Sequence, residues 1–126
     1  MVSAIKETPV TPSVDILTDE HRIVVSGPSR LEDPTNFYEA FKKLVDVCLA
    51  EFKTYTYLDF HITYINSSSS KWLLHILKGL QVIYQGKKIV TINWYYDSDD
   101  DAMLEAGEVF QELLSLPFNI IENKSR

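Results

Sequence analysis

Apolar and polar residues follow one another along the chain in a pattern that predicts alternating strands and helices. Two short β-type runs, 13–17 and 22–26, flank the polar residues 18–20, which predicts a hairpin. Gly27-Pro28 is expected to end the second strand. Residues 1–12 contain two Thr-Pro pairs, and because proline disfavours helix in the residue before it, they predict an extended, fraying arm.

Three stretches carry apolar residues at helical spacing. The first is expected to begin at Asp33-Pro34, since Asp caps free amide groups and Pro is tolerated in the first turn. The second begins in the serine run after Asn66 and ends near Gly86, and the third begins in an acidic run and ends before Pro117. Their predicted buried stripes are Phe37, Phe41, Leu44, Val45 and Cys48; Leu73, Ile76, Leu77, Leu80 and Ile83; and Met103, Ala106, Phe110, Leu113 and Leu114.

Two further strands are predicted between these helices. Residues 55–65 are rich in aromatic and β-branched side chains, with Leu58, Phe60, Ile62 and Tyr64 at alternate positions, and residues 88–96 are largely apolar. The predicted order is therefore β-β-α-β-α-β-α. It indicates a single α/β domain over residues 1–126, with three helices and a mixed, mainly parallel four-stranded sheet.

Charge and cysteine content narrow the classes of partner. The 126 residues carry a net charge of −6, which argues against nucleic acid and anionic membranes as partners. No apolar run approaches the roughly 20 residues of a membrane span, and no secretion signal is recognisable at the N-terminus. Cys48 is the only cysteine and falls on a buried stripe, so it is expected to be a core residue in a protein of the reducing cytoplasm.

The serine run is the most informative segment for function. It follows a strand and opens a helix, so Asn66 or Ser67 can cap the unpaired amide groups there. Capping alone would explain one of these residues, but four consecutive hydroxyls exceed that need. The same position favours an added phosphate, because the helix N-terminus attracts negative charge. Lys71, Trp72 and His75 follow on the polar side of the helix, where Trp72 either covers a core edge or contacts a partner protein.

Other chemistry is weakly indicated. Asp59 and His61 share a strand face and could join a serine in a hydrolase site, but no Gly-x-Ser-x-Gly elbow is present. The acidic run resembles part of a calcium loop in its spacing and lacks the required glycine, while the three histidines have no ligand spacing. A glycine-rich phosphate loop is absent as well. We therefore expect no catalytic residue, no metal and no cofactor.

Several segments resemble those of one known family. Tyr64-Ile65-Asn66-Ser67-Ser68-Ser69-Ser70-Lys71 resembles the Tyr-x-Asn-Thr/Ser-Ser-Ser-x-Lys signature of the SiaC-type regulatory phosphoproteins. The similarity extends over nearly the whole chain, to Thr11–Val14, Ser26–Ser29, Asn36–Tyr38, Val90–Asp97 and Pro117-Phe118.

The resemblance implies a STAS-like (anti-sigma-factor-antagonist-like) fold and a partner switch without catalytic activity. In such a system a cognate Ser/Thr kinase phosphorylates the hydroxyl after the motif Asn and a PP2C-type phosphatase removes the phosphate. The unphosphorylated form binds and activates a diguanylate cyclase, which raises cyclic di-GMP and links the switch to biofilm signalling. The acceptor position falls on Ser67, with Ser68 as the second choice. The contact surface would comprise Asn66, Ser68, Ser69, Lys71, Trp72 and His75.

Two alternatives remain at this point. An anti-sigma-factor antagonist that binds an anti-sigma kinase would use the same physics with a different partner. A small Ser/His hydrolase would use Asp59, His61 and a serine.

Overall fold

Six strands and three α-helices make up the described part of the chain, residues 2–84 and 89–124 of a computed structural model. The strands are β1 (Val2–Ile5), β2 (Ser13–Leu17), β3 (Arg22–Ser29), β4 (Tyr55–Ile65), β5 (Ile89–Asp97) and β6 (Phe118–Asn123). The helices are α1 (Thr35–Glu51), α2 (Ser67–Tyr84) and α3 (Asp101–Leu113), and a short 3-10 turn, Thr18–Glu20, joins β2 to β3.

The strands form one mixed sheet in the order β1-β2-β3-β4-β5-β6. The first three strands are antiparallel, and β3 to β6 are parallel. Each parallel connection contains a helix, as parallel pairing requires. The predicted element order and the hairpin are confirmed, while the predicted number of four strands is wrong.

Both missed strands lie at the edges of the sheet. β1 falls in the segment expected to fray, and its Val2 pairs with Ile16 of β2. β6 follows the third helix, and its Phe118 pairs with Ile92 of β5. These strands have 4 and 6 residues, and each pairs with only one neighbouring strand.

The second strand of the hairpin does not end at Gly27-Pro28, because a bulge accommodates this pair within β3. The parallel partner of β3 jumps from Ile62 at Gly27 to Tyr64 at Pro28, and pairing continues to Ser29. Gly27 has φ +112°, a conformation that favours glycine. The bulge also turns Tyr64 out of the buried alternation of β4, so its ring is exposed.

A single hydrophobic cluster joins the helices to one face of the sheet. Ile23, Leu58 and Ile92 occupy matching register positions on β3, β4 and β5, and all three are fully buried. Trp94 is buried beside them and donates its indole N–H to the Met103 carbonyl at 2.9 Å. The opposite face carries the alternate residues of the strands and none of the described helices.

The helical stripes are mostly as predicted, with departures near the C-terminal ends of α2 and α3. Ile83 and Leu113, which lie near the ends of α2 and α3, are exposed. Leu114 is buried but follows the end of α3. Gly86 and Lys88, the predicted end of the second helix and start of the following strand, lie outside the described residues.

Candidate functional site: the serine run at the start of α2

Four serines open α2, and the first three of them have three different environments. Ser67 is exposed, Ser68 is half-buried and Ser69 is fully buried. An α-helix rotates by about 100° per residue, so consecutive side chains point in different directions. Only Ser67 presents its hydroxyl openly to solvent.

Asn66 caps the helix and also fastens the preceding loop. Its Oδ1 accepts a hydrogen bond from the Ser69 amide at 2.9 Å, which satisfies one of the free amide groups of the first turn. Its Nδ2 donates to the Leu31 carbonyl at 2.8 Å, and its backbone amide donates to the Ser29 carbonyl at 3.1 Å. Of the two candidates, Asn66 and Ser67, the residue that caps the helix is therefore Asn66. Its other hydrogen bonds hold the end of β3 against the start of α2.

The Ser68 hydroxyl belongs to the same arrangement. It lies 3.4 Å from the Leu31 carbonyl and 3.3 Å from Asn66 Oδ1, and it can donate its one proton to either. A phosphate on Ser68 would remove this donor. Because Ser68 is also half-buried, its hydroxyl is less accessible to a kinase than that of Ser67.

Ser69 belongs to a buried chain of hydroxyls. Ser29 Oγ donates to Ser69 Oγ at 2.8 Å, and Ser69 Oγ faces the Ser29 carbonyl at 3.4 Å. The Tyr38 hydroxyl lies 2.8 Å from Ser29 Oγ and must be the donor there, because the Ser29 proton is already used. Burial raises the pKa of Tyr38.

This hydroxyl chain links three of the segments on which the family resemblance rests. Ser29 ends β3, Tyr38 lies in the first turn of α1, and Ser69 lies in the first turn of α2. Because Ser69 is fully buried, it cannot present its hydroxyl to a partner, and we leave it out of the proposed contact surface. Ser69 lies four residues before Leu73 of the buried stripe, and this spacing was the sequence signal that its side chain faces the core.

Basic and aromatic side chains follow on the outer surface of α2. Lys71 and His75 are exposed, and Trp72 is half-buried with its ring edge-on to His75 at 6.3 Å between centroids. These three side chains line one shallow cavity of about 300 Å³. The structure thus places Lys71, Trp72 and His75 together, four to eight residues after Ser67 on the same helix.

The residues of the hydrolase alternative are engaged elsewhere. Asp59 is buried on the helix-free face of the sheet, where it forms an ion pair with Arg22 and accepts a hydrogen bond from Asn93 Nδ2 at 2.9 Å. His61 stacks on Tyr95 with centroids 4.0 Å apart, and burial lowers its pKa, against the opposing effect of Asp59. Neither side chain is hydrogen-bonded to a serine among the described residues. In the described part of the chain, Asp59 and His61 therefore form no nucleophile–base pair with a serine.

The acidic run has local structural roles. Asp100 caps α3 by accepting a hydrogen bond from the Met103 amide at 3.1 Å, and Asp97 accepts one from Asn123 Nδ2 at 2.9 Å. Within residues 2–84 and 89–124, no group of three or more His, Cys, Asp or Glu side chains is close enough to hold a metal ion. Nor is any helix of this part both long and apolar enough to cross a bilayer.

Fold and site together define a small α/β domain whose distinguishing feature is an exposed hydroxyl at a helix start. The chain belongs to the SiaC family of regulatory phosphoproteins, whose sequence model matches residues 5–123. An uncharacterised protein of Pseudomonas aeruginosa (strain UCBPP-PA14) is 33% identical over 116 residues, which is 90% of each chain.

Solved structures of the family have the same fold. SiaC of P. aeruginosa is 30% identical, with a TM-score of 0.82 over 98% of this chain and 100% of that one. The diguanylate cyclase SiaD in complex with its activator SiaC, from the same organism, matches with a TM-score of 0.83 and 29% identity over 94% of this chain and 98% of that one. The α/β architecture and the regulatory class are thereby confirmed.

Proposed function

We propose that this protein is a phosphorylation-controlled activator of a diguanylate cyclase. The unphosphorylated form binds the cyclase and raises cyclic di-GMP. A cognate Ser/Thr kinase releases the complex by phosphorylating Ser67, and a PP2C-type phosphatase restores binding. The protein acts in the cytoplasm and has no catalytic activity of its own.

The observation that supports this proposal most directly is the exposure of Ser67 beside two constrained neighbours. A kinase must bring the hydroxyl into its own active site, which favours the exposed Ser67 over the half-buried Ser68 and the buried Ser69. The free amide groups of the first turn of α2 favour the added negative charge. The P. aeruginosa relative, a cyclase activator, supports the choice of partner.

The electrostatic effect is large enough to operate a switch. Phosphorylation adds about −1.5 to −2 charges at one point of the surface. A tenfold to hundredfold loss of affinity needs about 1.4–2.8 kcal/mol. Placing one dianion in a contact fitted to a neutral hydroxyl supplies an effect of that size.

The test compares charge at Ser67 with the same charge elsewhere. Each diguanylate cyclase of the native host is purified and assayed for cyclic di-GMP synthesis with the parent protein, Ser67→Ala and Ser67→Asp. Ser115→Asp is the matched control, because Ser115 is also exposed but lies at the other end of the parallel strands: it precedes the start of β6, whereas Ser67 follows the end of β4.

We expect one cyclase to be activated by the parent, Ser67→Ala and Ser115→Asp, and at least about tenfold less by Ser67→Asp at equal concentration. Equal activation by Ser67→Asp and Ser115→Asp would refute the switch at Ser67. Failure of every cyclase to respond to the parent would refute the choice of partner.

A further inference from the structure

The two edges of the sheet differ in how well they are protected. Among the described strands β6 pairs only with β5, and its register runs without a shift from Phe118 to Asn123. β1, at the other edge, has four residues, and its pairing with β2 shifts register between Ser3 and Ile5. Short length and a bulge are two ways in which proteins keep an edge strand from pairing with a further strand. β1 has both features and β6 has neither.

The parallel pairing of β6 determines which of its backbone groups point outward. The Ile92 amide of β5 donates a hydrogen bond to the Pro117 carbonyl at 2.8 Å. In a parallel ladder every second residue bonds to the same neighbouring strand. The odd-numbered residues of β6 therefore face β5, and the even-numbered ones, Phe118, Ile120 and Glu122, direct their backbone groups to the outer edge.

Most of these outward groups are unpaired. Gln111 of α3 donates from Nε2 to the Phe118 carbonyl at 2.9 Å and so covers the start of the edge. The backbone N–H and C=O groups of Ile120 and Glu122 have no hydrogen-bond partner in the part of the chain that the structure describes. They form an open row of donors and acceptors, which is what an added strand pairs with.

The chain is strongly acidic around this edge. Eight of the 18 acidic residues and none of the 12 basic residues lie between positions 97 and 122. The first basic residue that follows is Lys124, so the net charge of −6 comes entirely from this stretch. The acidic residues are Asp97, Asp99, Asp100, Asp101, Glu105, Glu108, Glu112 and Glu122.

Two of these carboxylates flank the edge itself. Glu122 lies on β6 and accepts a hydrogen bond from the Tyr96 hydroxyl at 3.4 Å. Partial burial and the charges of Glu122 and Glu108 raise the pKa of Tyr96, so both carboxylates lie near this hydroxyl. Glu108 is three residues before Gln111 and shares the face of α3 that reaches Phe118. Neither carboxylate forms an ion pair with a described residue, so both charges are available to a partner.

We propose that the outer edge of β6 binds an extended basic segment of a partner protein, which adds to the sheet as a further strand. The backbone of the segment pairs with Ile120 and Glu122. Side chains alternate between the two faces of a strand, so every second residue of the segment lies next to Glu108 and Glu122, and these residues are Lys or Arg. Backbone pairing provides the affinity, and charge selects the segment. This inference does not depend on the switch at Ser67.

The same charges disfavour a second copy of this chain at the edge. A two-fold pairing of β6 with β6 of another copy would bring Glu108 and Glu122 of both copies together. Like charges that face each other across a strand pair are destabilising. A basic segment neutralises these carboxylates instead.

The experiment titrates the purified full chain with short synthetic peptides and follows its backbone amides by NMR. The first peptide alternates Lys and Val, which provides both positive charge and strand periodicity. The second replaces each Val by Pro, which keeps the charge but removes backbone donors needed for strand pairing. The third replaces each Lys by Glu. Glu108→Lys is compared with Glu39→Lys, which makes the same change at an exposed position of α1.

We expect the Lys-Val peptide to bind and, at saturation, to slow exchange of the Ile120 and Glu122 amide protons with water by at least about fivefold. The amide protons of Asn119 and Ile121, which already face β5, should not change. The Lys-Pro and Glu-Val peptides should bind at least about tenfold more weakly. Glu108→Lys should weaken binding of the Lys-Val peptide by at least about fivefold, and Glu39→Lys by less than about twofold.

Several results would overturn this site. Equal binding of the Lys-Val and Lys-Pro peptides would show charge attraction without strand addition, and equal binding of the Glu-Val peptide would show that charge does not select the segment. Absence of binding at millimolar peptide, or an equal loss in Glu39→Lys, would also exclude it. A chain that sediments as a dimer with the Ile120 and Glu122 amides already protected would show that a second copy occupies the edge. All of these outcomes leave the switch at Ser67 intact.

Discussion

Replacement of Asn66 by alanine would test how the serine run is held in place. The change removes the capping oxygen from the Ser69 amide and the amide donor from the Leu31 carbonyl. Loss of an Asn cap costs about 1 kcal/mol, and loss of one further hydrogen bond costs about 0.5–1.5 kcal/mol. Because Asn66 is half-buried, water replaces part of what is lost. We expect the free energy of unfolding to fall by about 1–2 kcal/mol.

The assay is urea denaturation followed by circular dichroism, combined with hydrogen exchange of the Ser69 amide. Asn66→Asp is the matched variant, because its carboxylate keeps the capping oxygen but cannot donate to Leu31. We expect Asn66→Asp to lose about half as much stability as Asn66→Ala and to keep the Ser69 amide protected. If Asn66→Ala were as stable as the parent, or if Asn66→Asp and Asn66→Ala were equally destabilising, the capping oxygen of Asn66 would not be what holds the serine run in place.

The remaining predictions concern packing and pH. Gly107→Ala is expected to lower the free energy of unfolding by about 1–2 kcal/mol, because a Cβ would lie 2.5 Å from the buried Trp94 ring. Gly79→Ala, with nothing within 4 Å of its Cβ, is expected to raise it by about 0.5–1 kcal/mol in the same denaturation assay. The lowered pKa of His61 means that the unfolded chain binds more protons than the folded one as the pH falls below about 6.5. The contribution of neutral His61 to the free energy of unfolding is therefore fully present above that pH and decreases below it. Between pH 7.5 and 5, the free energy of unfolding should decrease less in His61→Gln than in the parent. An equal decrease in the two proteins would show that His61 is not the group responsible.

The central elements could be predicted because each repeats a burial pattern over many residues. β4 was predicted at its observed bounds, and the buried stripe of α2 from Leu73 to Leu80 follows the helical period. β1 and β6 could not be predicted in the same way, since an edge strand is defined by the neighbour with which it pairs. The exposure of Tyr64 has a similar cause, because the bulge that produces it depends on how β3 and β4 meet.

The candidate site was predictable only in its local part. Asn66 and the serines could be assigned to a helix start from their order in the chain. The partners of Ser69 could not, because Ser29 is 40 residues away and Tyr38 lies on another helix. Such contacts arise from the packing of α1, α2 and β3 and leave no spacing in the sequence that identifies them.

Helical rotation explains why adjacent serines suit different tasks. Ser69 points into the core, so a phosphate there would require the first turn of α2 to unfold. Ser68 points at the preceding loop, and a phosphate there would lose the hydrogen-bond donor that this loop receives. Ser67 is exposed and lies one helical turn before Lys71. A phosphate can therefore be added there without breaking a described contact, and the Lys71 ammonium group is within reach. A reversible switch requires that both states remain folded. Among these three positions Ser67 is the one whose side chain makes no described hydrogen bond that a phosphate would break, which is why we propose it as the phosphoacceptor.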